Sequence, residues 1–160
     1  MGKKDKEVRD PAVIAAIIEK SPFCRLALAL GNAPYVVPLC FGRAGDTLYF
    51  HTGPSGRKLD MLAENSRVCF EMTAEAAVKP GENACSFNIE FASVVGFGTA
   101  RRVFGEREKM KALDAIMSHY AQGPFVYRPE ALAAVVILAV DISEMTGKIS
   151  GIKDKYIPKA

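Results

Sequence analysis

Residues 24–51 read CRLALALGNAPYVVPLCFGRAGDTLYFH, and this stretch decides the fold class. Apolar residues recur at alternate positions, and two turn sequences, Gly31-Asn32 and Ala44-Gly45-Asp46, interrupt the alternation. A period of two places one side of an extended chain against a core, and the Gly-Asn and Gly-Asp pairs favour tight turns. The stretch therefore predicts three sequential antiparallel strands, over residues 24–30, 35–41 and 47–51.

The other segments predict further strands with helices at the margins. Asp10-Pro11 is typical of a helix start, because Asp caps the first turn and Pro is tolerated at the first position. Gly96 and Gly98 interrupt a long β segment, which indicates a sharp bend or a close approach of a ligand. The predicted elements are helices over 11–20, 59–65 and 110–120, strands over 68–72, 86–103 and 134–142, and a loop over 73–83. The order α-β-β-β-α-β-β-α-β favours a closed or partly closed antiparallel barrel over a parallel α/β sheet.

Length and composition predict a single ordinary domain over residues 1–160. With 49% hydrophobic and 24% charged residues, the chain is neither disordered nor fibrous. The net charge is only +3, and part of the basic charge lies in short tails at residues 1–8 and 152–160. We expect these tails to be solvated ends, and we expect no binding to nucleic acid or to a membrane surface.

The cysteines and histidines predict no metal site. The cysteines are Cys24, Cys40, Cys69 and Cys85, which form no C-x-x-C pair, and the only imidazoles are those of His51 and His119. All of the cysteines except Cys85 lie inside apolar runs, which predicts small buried thiols.

Three features favour a reduced cytoplasmic location. The charged N-terminus shows no signal peptide, and no cysteine pattern indicates a disulfide framework. The longest apolar run, residues 131–140, is about half the length of a membrane-spanning helix. We therefore interpret this run as a core element.

The stretch HTGPSGRK, residues 51–58, carries the strongest candidate chemistry. It joins a predicted strand to a predicted helix, whose free N–H groups and dipole favour an anion. Arg57 and Lys58 oppose that dipole unless a negative group is bound nearby, and Thr52 and Ser55 add hydroxyl donors. The glycines allow the backbone to approach a ligand closely. The stretch predicts a phosphate site, with a solvated helix start as the alternative, and it lacks the order of a P-loop.

Four further polar residues are candidates for a functional role, and for some of them a structural role is the alternative. His51 is either a proton donor near neutral pH or a structural hydrogen-bond donor. His119, on a predicted amphipathic helix, is interpreted as structural. Ser93 lacks the G-x-S-x-G elbow of a hydrolase, which argues against a nucleophile. Lys148 is either a second cation for a ligand or a solvated residue at a strand-end turn.

Seven blocks of sequence together resemble one protein family. In order, they are Cys24-Arg-Leu-Ala-Leu, Pro34-Tyr-Val-Val-Pro-Leu39, Leu48-Tyr-Phe-His51, Gly56-Arg-Lys-Leu59, Val68-Cys-Phe-Glu71, Ser93-Val-Val-Gly-Phe-Gly98 and Met145-Thr-Gly-Lys148. They resemble the 5-nitroimidazole-resistance (Nim) branch of the pyridoxamine 5'-phosphate oxidase-like, FMN-binding split-barrel proteins. The resemblance covers residues 8–150, and seven ordered blocks are far more specific than any one of them.

The resemblance implies a mainly β, six-stranded antiparallel split barrel of the FMN-binding type, with two or three peripheral helices. It implies a homodimer with FMN in clefts at the subunit interface. The segment matching residues 51–58 would hold the phosphate and ribityl chain, the strand matching 37–41 would lie along the flavin ring, and Ser93 would come from the partner chain. The implied cofactor-binding residues are Val37, Pro38, Leu39, Cys40, Phe41, His51, Thr52, Gly53, Ser55, Gly56, Arg57, Lys58, Ser93 and Lys148. His51 is also the implied catalytic residue.

The implied activity is that of an FMN-dependent oxidoreductase. Electrons from a reduced nicotinamide or another donor would reduce a small organic acceptor, such as a nitroimidazole or other nitroaromatic. The alternatives are a flavin- or haem-binding module for storage or sensing, and a dimerising scaffold without cofactor. Cys40 stands where many relatives carry Asn, and Phe87 replaces the Trp of the family's Cys-Ser-Trp block. We therefore expect the cofactor to carry over better than the substrate.

Overall fold

The computed structural model describes residues 7–157, which form twelve helices and strands and two short 3₁₀ turns. In chain order they are β1 (Glu7–Val8), α1 (Pro11–Lys20), β2 (Cys24–Leu30), β3 (Ala33–Leu39), β4 (Gly42–Ala44), β5 (Thr47–Thr52), α2 (Arg57–Glu64), β6 (Arg67–Lys79), β7 (Asn88–Val103), α3 (Glu106–Tyr120), α4 (Pro129–Ala134) and β8 (Val136–Ser150). The 3₁₀ turns are Ala84–Ser86 and Lys153–Lys155. The predicted cap of α1 is confirmed, because the Asp10 carboxylate accepts a bond of 2.8 Å from the Ala12 N–H.

All of the strands belong to one antiparallel sheet. Their order is β3-β2-β6-β7-β8-β5-β4, and β1 pairs with β8. The prediction of a mainly β, antiparallel fold is confirmed. The strands beyond the expected six are short: β1 has two residues and β4 has three. Helix α4 is the one helix of the described chain that the sequence patterns did not indicate.

The connection after β3 differs from the prediction of three sequential strands. β3 ends at Leu39 on one edge of the sheet, and the chain crosses to the other edge, where β4 pairs with β5. The crossing occurs at residues 40–42 because Phe41 is fully buried and Gly42 packs against α3. A Cβ at residue 42 would lie only 2.2 Å from the Ala115 carbonyl oxygen. Close contact with a distant helix therefore ends the alternation.

Two long strands also correct the predicted boundaries. The loop predicted over 73–83 is wrong for residues 73–79, since β6 continues to Lys79 and pairs with β7 beyond a bulge between Thr73 and Glu75. β8 begins at Val136 and runs to Ser150, so Lys148 lies inside a strand and not in a turn. The apolar run 131–140 divides between α4 and β8. Non-local pairing decides these boundaries, and local turn signals do not.

The sheet separates two groups of buried side chains. The larger core lies on the inner face and contains side chains from β2, β5, β6, β7 and β8, with α1 packed against it. A smaller group, Val103, Ala112, Ile137 and Ala139, lies under α3 on the other face. Val8 and Tyr156 are buried, so the prediction of solvated tails is wrong at these two positions. The basic residues Lys3–Lys6 lie outside the described residues.

Candidate flavin site

The loop between β5 and α2 has the backbone expected of an anion site. Thr52 ends β5 and is buried, whereas Gly53, Ser55 and Gly56 are exposed. Gly56 has φ +131°, which L side chains rarely adopt, and it begins α2 without a side-chain cap. The first helical bond closes from the Leu59 N–H to the Gly56 carbonyl at 2.8 Å. The amides that precede Leu59 therefore form the open end of the helix.

The basic residues of this loop share the first turn of α2 with one carboxylate, that of Asp60. Arg57 is exposed and Lys58 is half-buried, and neither forms an ion pair with another described residue. The Arg57 guanidinium lies 5.0 Å from the centroid of the Tyr35 ring on β3. This cation–π contact brings the start of α2 next to β3. His51 is exposed near the end of β5, opposite Ile137 of β8.

β3 offers a free edge to a ligand. Its sole partner among the described strands is β2, to which it is joined by the two-residue turn Gly31-Asn32. In such a hairpin the closing pair, Leu30 and Ala33, is hydrogen-bonded, and bonded and non-bonded pairs then alternate. Residues 34, 36 and 38 consequently direct their backbone groups to the free edge. Because Pro34 and Pro38 have no N–H, Val36 is the one residue of β3 that presents both a donor and an acceptor there.

The side chains of the predicted ring strand face in two directions. Val37 and Leu39 pack partly buried against the core, and Phe41 is fully buried, so these three side chains do not face a surface ligand. Pro38 and Cys40 are exposed on the side of the strand that points away from the core. The prediction that Cys40 is a buried thiol is therefore wrong, because it lies just beyond the last rung of β3. The structure leaves the free edge, Pro38 and Cys40 as the accessible parts of this segment.

Ser93 and Lys148 form a separate group on the sheet. They lie directly opposite each other on β7 and β8, and the Lys148 ammonium is 5.7 Å from the Phe91 ring centroid. Ile137, which pairs with His51, precedes Lys148 by eleven positions on β8, or up to about 36 Å of extended strand. Most of the length of β8 therefore separates Lys148, and Ser93 opposite it, from the rung that β8 shares with His51.

An exposed face connects β3 with β7. We call it the outer face, and it is formed by the outward side chains of β3, β2, β6 and β7, including Val36, Arg25, Glu71, Val95 and Phe97. Val36 is 57% exposed and Phe97 is 48% exposed, and a groove of about 610 Å³ lies over Ala27, Cys69 and Phe97. Arg25 and Glu71 form an ion pair of 2.6 Å on the same face of the sheet. Exposed apolar side chains at this density are typical of an interaction surface.

A cluster from α3 holds the crossing at residues 40–42. The Tyr120 hydroxyl accepts a bond of 3.1 Å from the Phe41 N–H and donates one of 3.2 Å to the Pro22 carbonyl. His119 stacks 4.3 Å from the Phe41 ring, and its Nε2 lies 2.8 Å from the Ser21 carbonyl, as expected of a structural histidine. Burial raises the pKa of Tyr120, while the bond from the Phe41 N–H acts in the opposite direction. The sequence patterns did not indicate Tyr120, since it meets Phe41 only across the fold.

The remaining thiols and acids form no metal centre within residues 7–157. All four cysteines are free. Burial raises the pKa of the Cys24 thiol, and it raises that of Cys69 as well, with the charge of Glu71 acting in the same direction. These thiols are held in their protonated form. Over the same residues, no helix has the length and apolar character needed to cross a membrane.

The comparisons with known proteins agree with the fold and with the sequence blocks. The family model for pyridoxamine 5'-phosphate oxidase matches residues 10–149. A solved candidate 5-nitroimidazole antibiotic resistance protein from Bacteroides thetaiotaomicron is 34% identical, with a TM-score of 0.80, and the match covers 89% of this chain and 86% of that one. No curated protein matches the sequence.

Two more distant structures share the fold. The FAD- and haem-binding protein from Mycobacterium smegmatis has a TM-score of 0.81 at 24% identity, covering 91% of this chain and 74% of that one. The flavocytochrome Anf3 from Azotobacter vinelandii has a TM-score of 0.78 at 22% identity, covering 96% and 76%. The family match over most of the chain and the close structural relative confirm the split-barrel fold. The chain therefore belongs to the pyridoxamine 5'-phosphate oxidase family, in its 5-nitroimidazole-resistance branch.

Proposed function

We propose that the protein binds FMN and acts as an FMN-dependent oxidoreductase on a small organic acceptor, a nitroimidazole or other nitroaromatic being the candidate. One observation carries the proposal: the Arg57–Tyr35 contact brings the unpaired cations of α2 next to β3, the strand that has a free edge. A phosphate site and a site for a planar ring are thus neighbours on one surface. FMN has both of these parts.

The phosphate belongs at the start of α2. Arg57 and Lys58 oppose the helix dipole there, and a bound dianion reverses the sign of that interaction. Arg57 can form two parallel bonds to phosphate oxygens, and Ser55 stands exposed beside it as a hydroxyl donor. These residues fit a phosphate because Arg57 and Lys58 form no ion pair with another described residue.

The flavin ring belongs along β3. From Tyr35 to Cys40 the chain extends over about 17 Å, which accommodates the ribityl chain and the ring. Val36 presents an N–H and a carbonyl side by side, and these are complementary to the carbonyl and imide N–H of the ring. Pro34 and Pro38 remove the competing donors, so another β-strand pairs poorly with the same edge.

His51 is assigned to proton delivery. It is exposed near the end of β5, next to the loop assigned to the phosphate, and an imidazole can serve as a general acid or base. Bound FMN would supply the reversible electron transfer, whereas the protein supplies orientation and charge. His51 would hold the proton that the reduced acceptor takes up.

We further propose a homodimer that contacts through the outer face. Ser93 and Lys148 of one chain lie most of the length of β8 away from the rung that contains His51, so we assign them to the flavin of the partner. The exposed Val36, Val95 and Phe97 supply the apolar centre that a stable interface needs. The four free thiols are consistent with the cytoplasm, where we place the protein.

The second candidate is a flavin- or haem-binding module without turnover. Its support is the similar fold of the Mycobacterium smegmatis protein, which binds FAD and haem. Absorption spectra of protein reconstituted with FMN, FAD or haem separate these cases. A haem band without flavin binding would replace our proposal with this one.

Binding of FMN and of riboflavin, which lacks the phosphate, tests the cofactor site. Arg57→Ala should weaken FMN binding by about 30-fold or more, and it should leave riboflavin binding unchanged, because only the phosphate loses a partner. The matched control is Arg107→Ala, at an exposed position of α3. Equal FMN affinity in both variants would contradict the phosphate assignment.

Anaerobic turnover tests the activity. The holoprotein is mixed with a reduced nicotinamide and a nitroimidazole, and the flavin band is followed over time. We expect cycles of bleaching and recovery, and His51→Ala should slow the reoxidation of the flavin by the acceptor when the variant is saturated with FMN. A flavin that is never reduced, or is reduced and never reoxidised by the acceptor, would rule out the reductase.

A further inference from the structure

The Tyr120 hydroxyl lies between the ends of two paired strands. The last rung between β2 and β3 joins Cys24 and Leu39, so Pro22 and Phe41 would be the partners two residues further on. The Phe41 N–H donates to the Tyr120 oxygen at 3.1 Å, and the Tyr120 hydroxyl donates to the Pro22 carbonyl at 3.2 Å. One side-chain oxygen thus occupies the place of a backbone bond.

The register explains why this place is open. Because Cys24 and Leu39 form a hydrogen-bonded pair, the alternation makes Pro22 and Phe41 the next such pair. Pro22 has no N–H, so a direct rung could contain only the bond from Phe41 to the Pro22 carbonyl. The Tyr120 oxygen lies between these two groups, so that two hydrogen bonds through the hydroxyl replace the single direct bond. The inserted oxygen atom holds the two strand ends apart.

We propose that Tyr120 is a positioning residue for the flavin ring, acting as a wedge that sets the Cys40–Phe41 peptide at the end of β3. The inference rests on the proposed FMN site. A peptide group is planar, with its N–H and carbonyl in opposite directions. Since Tyr120 takes the Phe41 N–H, the Cys40 carbonyl points the other way, toward the free edge that Val36 shares.

The wedge is held firmly from α3. His119 packs on the Phe41 ring at 4.3 Å, and the Ala115 carbonyl meets the backbone at Gly42 too closely to admit a Cβ. Phe41 itself is fully buried. The position of α3 is therefore transmitted through the Phe41 backbone to Cys40, whose thiol also interacts with the Tyr120 hydroxyl.

Tyr120→Phe removes only the wedging oxygen, and Tyr127→Phe is the matched control. The Tyr127 hydroxyl also docks on α3, where it donates to Asp114 at 2.9 Å. We expect Tyr120→Phe to weaken FMN and riboflavin binding by the same factor, about fivefold, because the ring loses its position while the phosphate keeps its partners. The absorption band and the midpoint potential of the bound flavin should shift. Tyr127→Phe should leave all of these unchanged.

Pro22→Ala provides a second variant that retains the hydroxyl. It supplies the missing N–H, favours a direct rung to Phe41 and should shift the flavin band in the same direction as Tyr120→Phe. This variant decides the question if Tyr120→Phe does not fold. If Pro22→Ala, and Tyr120→Phe where it folds, keep the flavin affinity, absorption band and midpoint potential of the wild type, the role of Tyr120 is overturned. The proposed FMN site would not be affected by that result. A wild-type protein that binds neither flavin would overturn the proposed function and the inference together.

Discussion

At the residue scale, Gly96 and Gly98 show how side-chain size controls this sheet. A Cβ at residue 96 would lie 2.2 Å from Cζ of Phe70 and 2.7 Å from the Glu144 carbonyl oxygen. At residue 98 it would lie 2.5 Å from the Asp141 carbonyl oxygen. The pairing of β7 with β8 shifts register between Phe97 and Gly98. The glycines thus serve core packing and a bulge, and no ligand is needed to explain them.

Gly96→Ala should therefore destabilise the protein by about 2 kcal/mol, because the fully buried Phe70 ring must move. Urea unfolding measures the change, with Thr99→Ala, at an exposed position of the same strand, as the control. Equal stability of the two variants would show that the Phe70 ring moves aside at little cost.

The sequence identified the site residues that leave a local signal and missed those that lack one or whose signal was not recognised. Arg57 and Lys58 were predictable, because two cations at a helix start violate a local rule. Val36 and Tyr120 were not identified. The spacing of Pro34 and Pro38 by four residues is a signal of an edge strand that could have pointed to Val36. No local pattern relates Tyr120 to Phe41.

At the element scale, Lys109 ties α4 to α3. Its ammonium donates to the Leu132 and Val135 carbonyls, each at 2.8 Å, and so caps the C-terminal end of α4. α4 has only six residues and would be marginal on its own. The Lys109 side chain from α3 therefore supplies hydrogen-bond donors for carbonyls at the end of this short helix.

Lys109→Met should lower the free energy of unfolding by about 1–2 kcal/mol, since two partly buried carbonyls lose their donor. Lys111→Met is the control: Lys111 pairs with the exposed Glu108 on the same helix, so its loss should change little. Urea unfolding of both variants provides the test, and a smaller effect at Lys109 than at Lys111 would contradict the capping role.

The segment that follows β8 is held to β6 through Glu75. Its carboxylate accepts bonds from Lys155 at 2.6 Å and from the Tyr156 hydroxyl at 3.0 Å. The bond from Lys155, followed by that from Tyr156, lowers the pKa of Glu75. Such a group stabilises the folded state above its unfolded pKa, and the contribution is lost as the pH falls through the folded pKa.

Glu75→Gln should therefore cost about 0.5 kcal/mol at neutral pH, a value reduced by solvent screening, and the difference from wild type should vanish in acid. Urea unfolding at pH 7 and pH 3 tests this dependence. Glu108→Gln is the control: Lys111 lowers the pKa of Glu108 as well, but this pair is exposed on one helix, so its loss should change little at either pH. If the free energy of unfolding of Glu75→Gln still differs from that of the wild type at pH 3, or differs more, the predicted loss of this stabilisation in acid is wrong.

At the scale of the whole molecule, the two faces of the sheet differ in how they are covered. The inner face is buried by the core and α1. On the opposite side of the sheet, α3 covers only the region around Ile137 and Ala139. The outer face keeps Val36, Val95 and Phe97 exposed. Together with the distance between His51 and Lys148, this exposure favours a dimer in which each site uses both chains.

Phe97→Asp should convert the dimer to monomers, because it places a carboxylate at the apolar centre of the outer face. FMN should then be lost, since Ser93 and Lys148 of the partner leave the site. Phe104→Asp is the matched control: Phe104 is 75% exposed and lies beyond β7. Sedimentation and flavin content are measured together, and a Phe97→Asp dimer that retains FMN would contradict the proposed interface.

The sequence by itself determined the mainly β class, the start of α1 and the basic loop at residues 51–58. Each depends on a local rule: the alternation of side chains, a capping carboxylate, or cations against a helix dipole. Tertiary structure alone decided where β3 ends and how far β6 extends, and it also exposed Cys40 and placed Tyr120 between Pro22 and Phe41. These features depend on pairs of residues far apart in the chain. Their energies arise only when the whole sheet and α3 are in place.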